Sequence, residues 1–202
     1  MAMFNLKNLP RYTSGALAVI LSLHFIYEKG EDIAILAASI FFLLICITDT
    51  LVSRIPNLAI LAAASAGLGY HTWTTGASGL LFSFLGLLTG LALLLIPYLM
   101  GGMGAGDVKA LAALGSLLGS GAVLQVFLYA ALAGGLLAIF HYALAHNLKE
   151  KCLNGAKTLR AFAYTHDVNL FRPPATTERL RFPYAAAIAF GFYAFVNWGD
   201  LV

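Results

Sequence analysis

The sequence predicts an all-α, polytopic membrane protein, and three observations carry that prediction. Of 202 residues, 60% are hydrophobic and only 10% are charged, against roughly half and a quarter in an average soluble domain. The mean hydropathy is +0.85, so the chain lacks the polar residues to cover a water-facing surface. The apolar residues also fall into runs rich in Leu, Ala and Ile. Those runs lack the alternation of a membrane β-barrel.

Seven apolar segments follow one another, at roughly 12–27, 33–49, 58–73, 80–99, 107–119, 121–146 and 182–198. The first is preceded by Lys7 and Arg11, as a signal peptide would be. "SLHFIYEKGED" offers no small-x-small cleavage site, however, so a retained span is expected. The second ends on Asp49. The third opens after "SRIPN". The fourth runs into a glycine cluster. The fifth is short and flanked by glycine, which fits a helix tilted or enclosed among its neighbours. The sixth is long enough to project beyond the bilayer, and the seventh closes the set.

The cations test this layout. With a cytoplasmic N-terminus, Lys7, Arg11, Arg54, Lys109, Lys149, Lys151, Lys157, Arg160, Arg172, Arg179 and Arg181 share the cytoplasmic side. Lys29 alone of the 12 falls outside. Such a bias sets the orientation of a polytopic protein, here with the C-terminus periplasmic or external. The one sizeable loop, 147–181, is basic. Leu148, Leu153, Leu159 and Phe162 recur in it at roughly helical spacing, which fits either a surface-lying amphipathic helix or a plain basic linker. No internal repeat of the kind that builds many transporters is visible.

The two cysteines, Cys46 and Cys152, form no CxxC, and the five histidines form no HExxH. No metal site is expected from them, no cofactor is called for, and nothing points to nucleic acid. The acidic residues are more informative. Glu28, Glu31, Asp32 and Asp200 fall on the outer side, and Glu150, Asp167 and Glu178 in the basic loop. Asp49 and Asp107 remain, both at membrane boundaries on the cytoplasmic side, where a carboxylate faces protein or a water-filled cavity rather than lipid. Either one alone reads equally well as a helix-end residue, and Asp107 is placed to N-cap the fifth segment. As a pair they say more. Two carboxylates held close do not both ionise easily. That suits acid–base chemistry on a water attacking a carbonyl, one Asp taking its proton and the other polarising the oxygen.

Gly101, Gly102, Gly104 and Gly106 lead up to Asp107. They leave no side chains in the way and permit an extended peptide to lie against the backbone. A P-loop would need GK[ST] after the glycines, and a dinucleotide fingerprint would need a preceding strand. Neither is present.

"GAGD" (104–107) matches the GxGD signature of membrane aspartic proteases, and "GMGAGDVKALAALGSLLG" resembles the type IV leader peptidases, or prepilin peptidases. "DTLVSRIPN" (49–57) is similar to the first aspartate motif of that family. "RFPYAAAIAFG" (181–191) resembles its last helix. The resemblance implies a six-helix core over 31–202, with residues 1–30 adding one N-terminal helix. It implies Asp49 and Asp107 as the catalytic pair, with Gly104 and Gly106 shaping the loop. Lys109 is then placed to meet an acidic substrate group or to tune Asp107, and reads equally well as a plain interfacial cation. Arg54, Pro56 and Asn57 would shape the turn. The implied activity is aspartic endopeptidase cleavage of the basic leader of prepilins or pseudopilins at the cytoplasmic face of the inner membrane, typically after glycine.

The cysteine-rich insert of the large bifunctional members is not found in this sequence, which looks like the compact peptidases of tight-adherence (Flp-type) pilus systems. The presenilin branch fits less well, since Asp49 follows Thr48 rather than Tyr and no PAL occurs. Two other readings remain open on the residues alone. One is a small transporter or channel passing protons or cations through the two aspartates. The other is a non-catalytic scaffold of a secretion machine. The orientation has a direct test. A cysteine at Thr75 should be labelled by an impermeant maleimide from the periplasmic side, and one at Thr176 only after the membrane is opened. The reverse pattern would overturn the topology.

Overall fold

The structure is a computed structural model, and it describes residues 9–28, 32–101, 103–144 and 184–201. All regular structure among them is helical: α1 (Leu9–Glu28), α2 (Ile33–Val52), α3 (Asn57–Thr75), α4 (Ala77–Leu99), α5 (Ala105–Leu144) and α6 (Tyr184–Trp198). The loop 147–181, which the sequence leaves as either a surface helix or a basic linker, lies outside the described residues.

Local chemistry accounts for most boundaries. Asp32 caps α2, its carboxylate accepting the N–H groups of Ala34 and Ile35 at 2.9 and 3.2 Å. The same helix stops at Ser53, which takes a left-handed conformation (φ 56°, ψ 37°) and donates its N–H to the Asp49 carbonyl at 2.9 Å. Pro56, with its fixed φ of −65°, then starts α3. Gly76, at φ 65°, is the whole connection between α3 and α4.

α5 is 40 residues long but is not one rod, because Gly119 interrupts it at φ 84°, ψ 174°. Residues 107 and 134 would stand about 40 Å apart on a straight helix at 1.5 Å per residue. Tyr184 nevertheless reaches both: its ring lies against Gly134, and its phenol feels the charge of Asp107. The two arms, 105–118 and 120–144, therefore fold back on each other at Gly119, as expected from two separate apolar segments. A side chain at Gly119 would lie within 2.1 Å of the Phe82 ring. Both its conformation and its neighbour thus require glycine.

The arm 105–118 is the centre of the molecule. Ala110 to Leu114, Ser116 and Leu117 are all buried. α4 runs antiparallel to it at backbone distance. A Cβ on Gly86 would sit 2.0 Å from the Gly115 carbonyl oxygen, one on Gly115 2.1 Å from that of Gly86, and one on Gly90 2.4 Å from that of Leu111. Small residues allow this approach, which is how helices associate where lipid supplies no hydrophobic drive. The Ser83 hydroxyl donates to the Ser116 carbonyl at 2.6 Å inside the contact. α3 flanks the other side through Gly67 on Ser116, and a ring nitrogen of His71 lies 2.9 Å from the Leu117 carbonyl. The arm spans only about 21 Å at 1.5 Å per residue, less than the roughly 30 Å hydrocarbon thickness. Enclosure removes the need to match lipid.

The second arm pairs with α6, where Gly191 meets Val126 and Ala130. α1 and α2 complete the bundle. The buried Tyr193 hydroxyl lies 2.8 Å from the Ser22 oxygen of α1, and Phe42 of α2 stacks on Phe192 at 5.3 Å. The outside is apolar. Leu81, Phe84, Leu85 and Leu88 on α4, and Leu132 and Leu136 on α5, are exposed, the reverse of a water-soluble surface. α2, α4 and residues 105–139 of α5 are long and apolar enough to cross a membrane. The chain is an all-α membrane protein. Among the described residues, Arg11, Arg54 and Lys109 lie at one end of the bundle with Asp49 and Asp107. Glu28, Asp32 and Asp200 lie at the other. Exposed Tyr27, Trp73 and Trp198 ring that second end, as aromatics do at a membrane–water boundary.

The central contact makes a stability prediction. Gly86→Val or Gly115→Val should each cost at least the upper end of the about 1–3 kcal/mol typical of overpacking, since backbone rather than side chain must give way. Gly69→Ala, where a Cβ meets nothing within 4 Å, should leave stability unchanged or slightly raised. Thermal unfolding of the detergent-solubilised protein reads both. Equal transitions for Gly115→Val and wild type would refute the central contact.

Candidate active site

Asp49 is carried by the last turn of α2 and Asp107 by the first turn of α5. Fifty-eight residues separate them in sequence, yet each is half-buried at the same end of the bundle. They are close enough for the charge of Asp49 to act on the Asp107 carboxyl. The sequence leads one to expect both acids at the same end, and sequence spacing by itself does not establish how near they come.

Asp107 is not the N-cap. Gly104 holds that place, Ala105 opens the helix, and Asp107 stands two residues further on. From there its Oδ2 accepts the Gly104 N–H at 3.2 Å, while its own N–H donates to the Gly104 carbonyl at 3.1 Å. An acid at the third helical position reaching back to the cap is half of a capping box, and the positive end of the helix favours it there. The short apolar arm thus carries a carboxylate whose orientation its own backbone fixes.

The glycines before it have specific reasons. A Cβ on Gly104 would come within 3.2 Å of Asp107 Oδ2, so its absence makes room for the carboxylate. A Cβ on Gly106 would lie 3.3 Å from the Cβ of Ile55, in the turn between α2 and α3. That turn therefore lies directly on the first turn of α5. Gly101 takes φ 78° as the chain leaves α4, and Gly102 is outside the described residues. Lys109 is exposed, and its ammonium donates to Asn57 Oδ1 at 3.3 Å. It joins the start of α3 to the second turn of α5.

Two neighbours were not singled out by the sequence reading. The guanidinium of Arg11, on α1, donates to the main-chain carbonyl of Asp49. Only its place in the positive-inside count marks it in the sequence. Tyr184 opens α6 within electrostatic reach of Asp107; in the sequence it stands only inside "RFPYAAAIAFG", the stretch that resembles the family's last helix. Cys46, one turn before Asp49, is buried and makes no disulfide among the described residues. Among the described residues no group of three His, Cys, Asp or Glu side chains is placed to hold a metal.

A bundle of apolar helices with two acids within electrostatic reach of each other at one end defines a class, polytopic membrane proteins with acids gathered at one end, that includes both proteases and transporters. The sequence comparison separates them. The model of the type IV leader peptidase family matches residues 36–139, which hold both aspartates, the turn at 53–56 and the central arm. The chain belongs to the type IV leader peptidase family, and so to a family of peptidases. Comparison with curated proteins and with solved structures gives no match.

The contact between Gly106 and Ile55 can be measured as a coupling. Gly106→Val should destabilise the detergent-solubilised protein by about 1–3 kcal/mol. Ile55→Ala in the same chain should recover part of that loss, giving a coupling of at least about 0.5 kcal/mol in a double-mutant cycle. Additive effects would show that the turn does not rest on Gly106.

Proposed function

We propose that this leader peptidase is an aspartic endopeptidase that hydrolyses the leader of prepilin-like proteins with a water activated between Asp49 and Asp107. The observation that carries the reading is the placement of both carboxylates at one end of the bundle, within electrostatic reach of each other. An ionised Asp takes a proton from the water, whose oxygen attacks the scissile carbonyl carbon. The protonated Asp gives its proton to the carbonyl oxygen. The tetrahedral diol then returns that proton and expels the new amine, which leaves with the proton held by the first Asp. The chemistry needs no nucleophilic side chain.

Gly104 and Gly106 leave the approach to Asp107 without side chains, which suits an extended peptide. Lys109 acts on the site through Asn57, holding the turn that follows Asp49. The substrate is a pilin-like chain whose basic leader lies in the cytoplasm and whose apolar segment lies in the bilayer. The orientation is the one in which the end with Arg11, Arg54 and Lys109 faces the cytoplasm, in the inner membrane of the cell. Placement of both acids at one end favours this reading over a transporter, for which acids are expected along a path through the membrane.

The test is removal of the leader from a co-expressed prepilin, read as a gel shift. Asp49→Asn and Asp107→Asn should each lower cleavage by at least about a hundredfold, the low end of what a general acid or base contributes. Expression and membrane insertion should persist. Asp→Glu at either position should also fail largely, because moving the carboxylate by about an ångström can cost about a hundredfold. Asp32→Asn is the control: asparagine caps helices as well as aspartate does, and the residue lies at the opposite end. Near wild-type cleavage by either asparagine variant would sink the two-carboxylate mechanism. Loss of an ion flux in vesicles by both, with leader removal intact, would return the transporter reading.

A further inference from the structure

α1 lies outside the family-matched region, which begins at residue 36, yet it touches the site. Its Arg11 guanidinium donates to the carbonyl oxygen of Asp49, the same oxygen that accepts the Ser53 N–H at 2.9 Å. Around that bond the two helices are packed at the closest approach side chains allow. A Cβ on Gly15 would fall 2.0 Å from the Thr50 Oγ1, next to Asp49 in the chain. Ser14 is buried, and its hydroxyl donates to the Arg11 carbonyl at 3.2 Å.

The end of α2 gains from such a partner. The last carbonyls of a helix have no intrahelical donors and carry the negative end of its dipole, and unsatisfied carbonyls are costly at a membrane. Ser53 satisfies the Asp49 carbonyl from within the chain, but from a left-handed residue beyond the helix end, where turns fray. A cation held on the same oxygen from a second helix fixes that peptide group from both sides. Asp49 must keep its place against Asp107, which is fixed separately by the Gly104 N–H.

We propose that α1 is a clamp on the α2 terminus and that Arg11 is a positioning residue for Asp49, acting through the Asp49 carbonyl rather than on substrate. For its effect on turnover, the inference rests on the proposed peptidase reading; the clamp itself does not depend on it. Two readouts on the full chain in detergent keep the two apart. The first is amide hydrogen exchange over 49–53, with 111–117 as the internal control for folding. The second is kcat and KM on a synthetic peptide carrying a basic leader, a glycine and an apolar segment.

Arg11→Ala should speed exchange over 49–53 by about tenfold, as expected for losing a bond to a charged donor, with 111–117 unchanged. It should lower kcat by about tenfold or more, because small misplacements of a reacting group are costly, and leave KM within about twofold. Arg11→Lys, which keeps the cation, should recover much of both effects, and Gly15→Leu, which forces α1 off Thr50, should reproduce them. Unchanged exchange over 49–53 in Arg11→Ala would overturn the clamp. A raised KM with unchanged kcat would overturn the positioning role in favour of substrate contact. If Asp49→Asn still cleaves the peptide, the peptidase mechanism fails, while accelerated exchange in Arg11→Ala still upholds the clamp.

Discussion

The rest of the structure depends on the close approach of α4 to the first arm of α5. Gly86 and Gly115 bring two backbones together where any side chain would collide with a carbonyl. Lipid offers no hydrophobic reason for two apolar helices to associate, so close packing and the Ser83 bond to the Ser116 carbonyl must supply it. Once that pair is fixed, the short arm 105–118 is enclosed, and Gly119 turns the chain back beside it. Asp107 is then held at a defined depth by a helix that no lipid has to match.

The second acid is placed by a different device. α2 is long enough to cross the membrane by itself, and it delivers Asp49 at its final turn. What sets Asp49 relative to Asp107 is the short turn 53–56 and its contacts. Ser53 ends the helix, Ile55 lies against Gly106, and Asn57 takes the Lys109 ammonium. The motif around the first Asp is therefore a connector as much as a site. Residues that carry no chemistry in it lock one helix end to another. The hydrolytic pair proposed above would need this, because its two carboxylates come from elements with no sequence-local relation and must agree to within a fraction of an ångström.

The family match covers the part of the chain with both acids, but the site draws on more. Arg11 comes from before the matched region and Tyr184 from after it. Each belongs to an element whose sequence looks like an ordinary span. The bundle recruits α1 and α6 by aromatic and hydroxyl contacts, Tyr193 on Ser22 and Phe25 at one level and Phe42 on Phe192 at another. Those contacts sit in the apolar interior, well away from the acids. Packing at mid-depth thus brings the ends of these helices to the site.

The sequence by itself determined the class and the elements. Apolar runs of membrane length must be helices, since no water is there to satisfy a bare backbone, and each of the seven segments corresponds to a helix or an arm of one. It also determined where the costly charges stand, because a carboxylate at the edge of an apolar run is visible without any structure. That is how Asp49, Asp107 and the GxGD motif were legible. Their meeting was not, since a linear spacing of 58 residues carries no distance. Nor was the cap arrangement: an N-cap was one reading of Asp107 from sequence, and the structure gives that place to Gly104 because the helix begins three residues earlier than that reading requires. Arg11 over the Asp49 carbonyl and Lys109 on Asn57 were decided only by tertiary structure. Both are contacts between different helices, and which face of one apolar helix meets which face of another is set by interlocking small residues over many turns, a property of pairs that no single segment records.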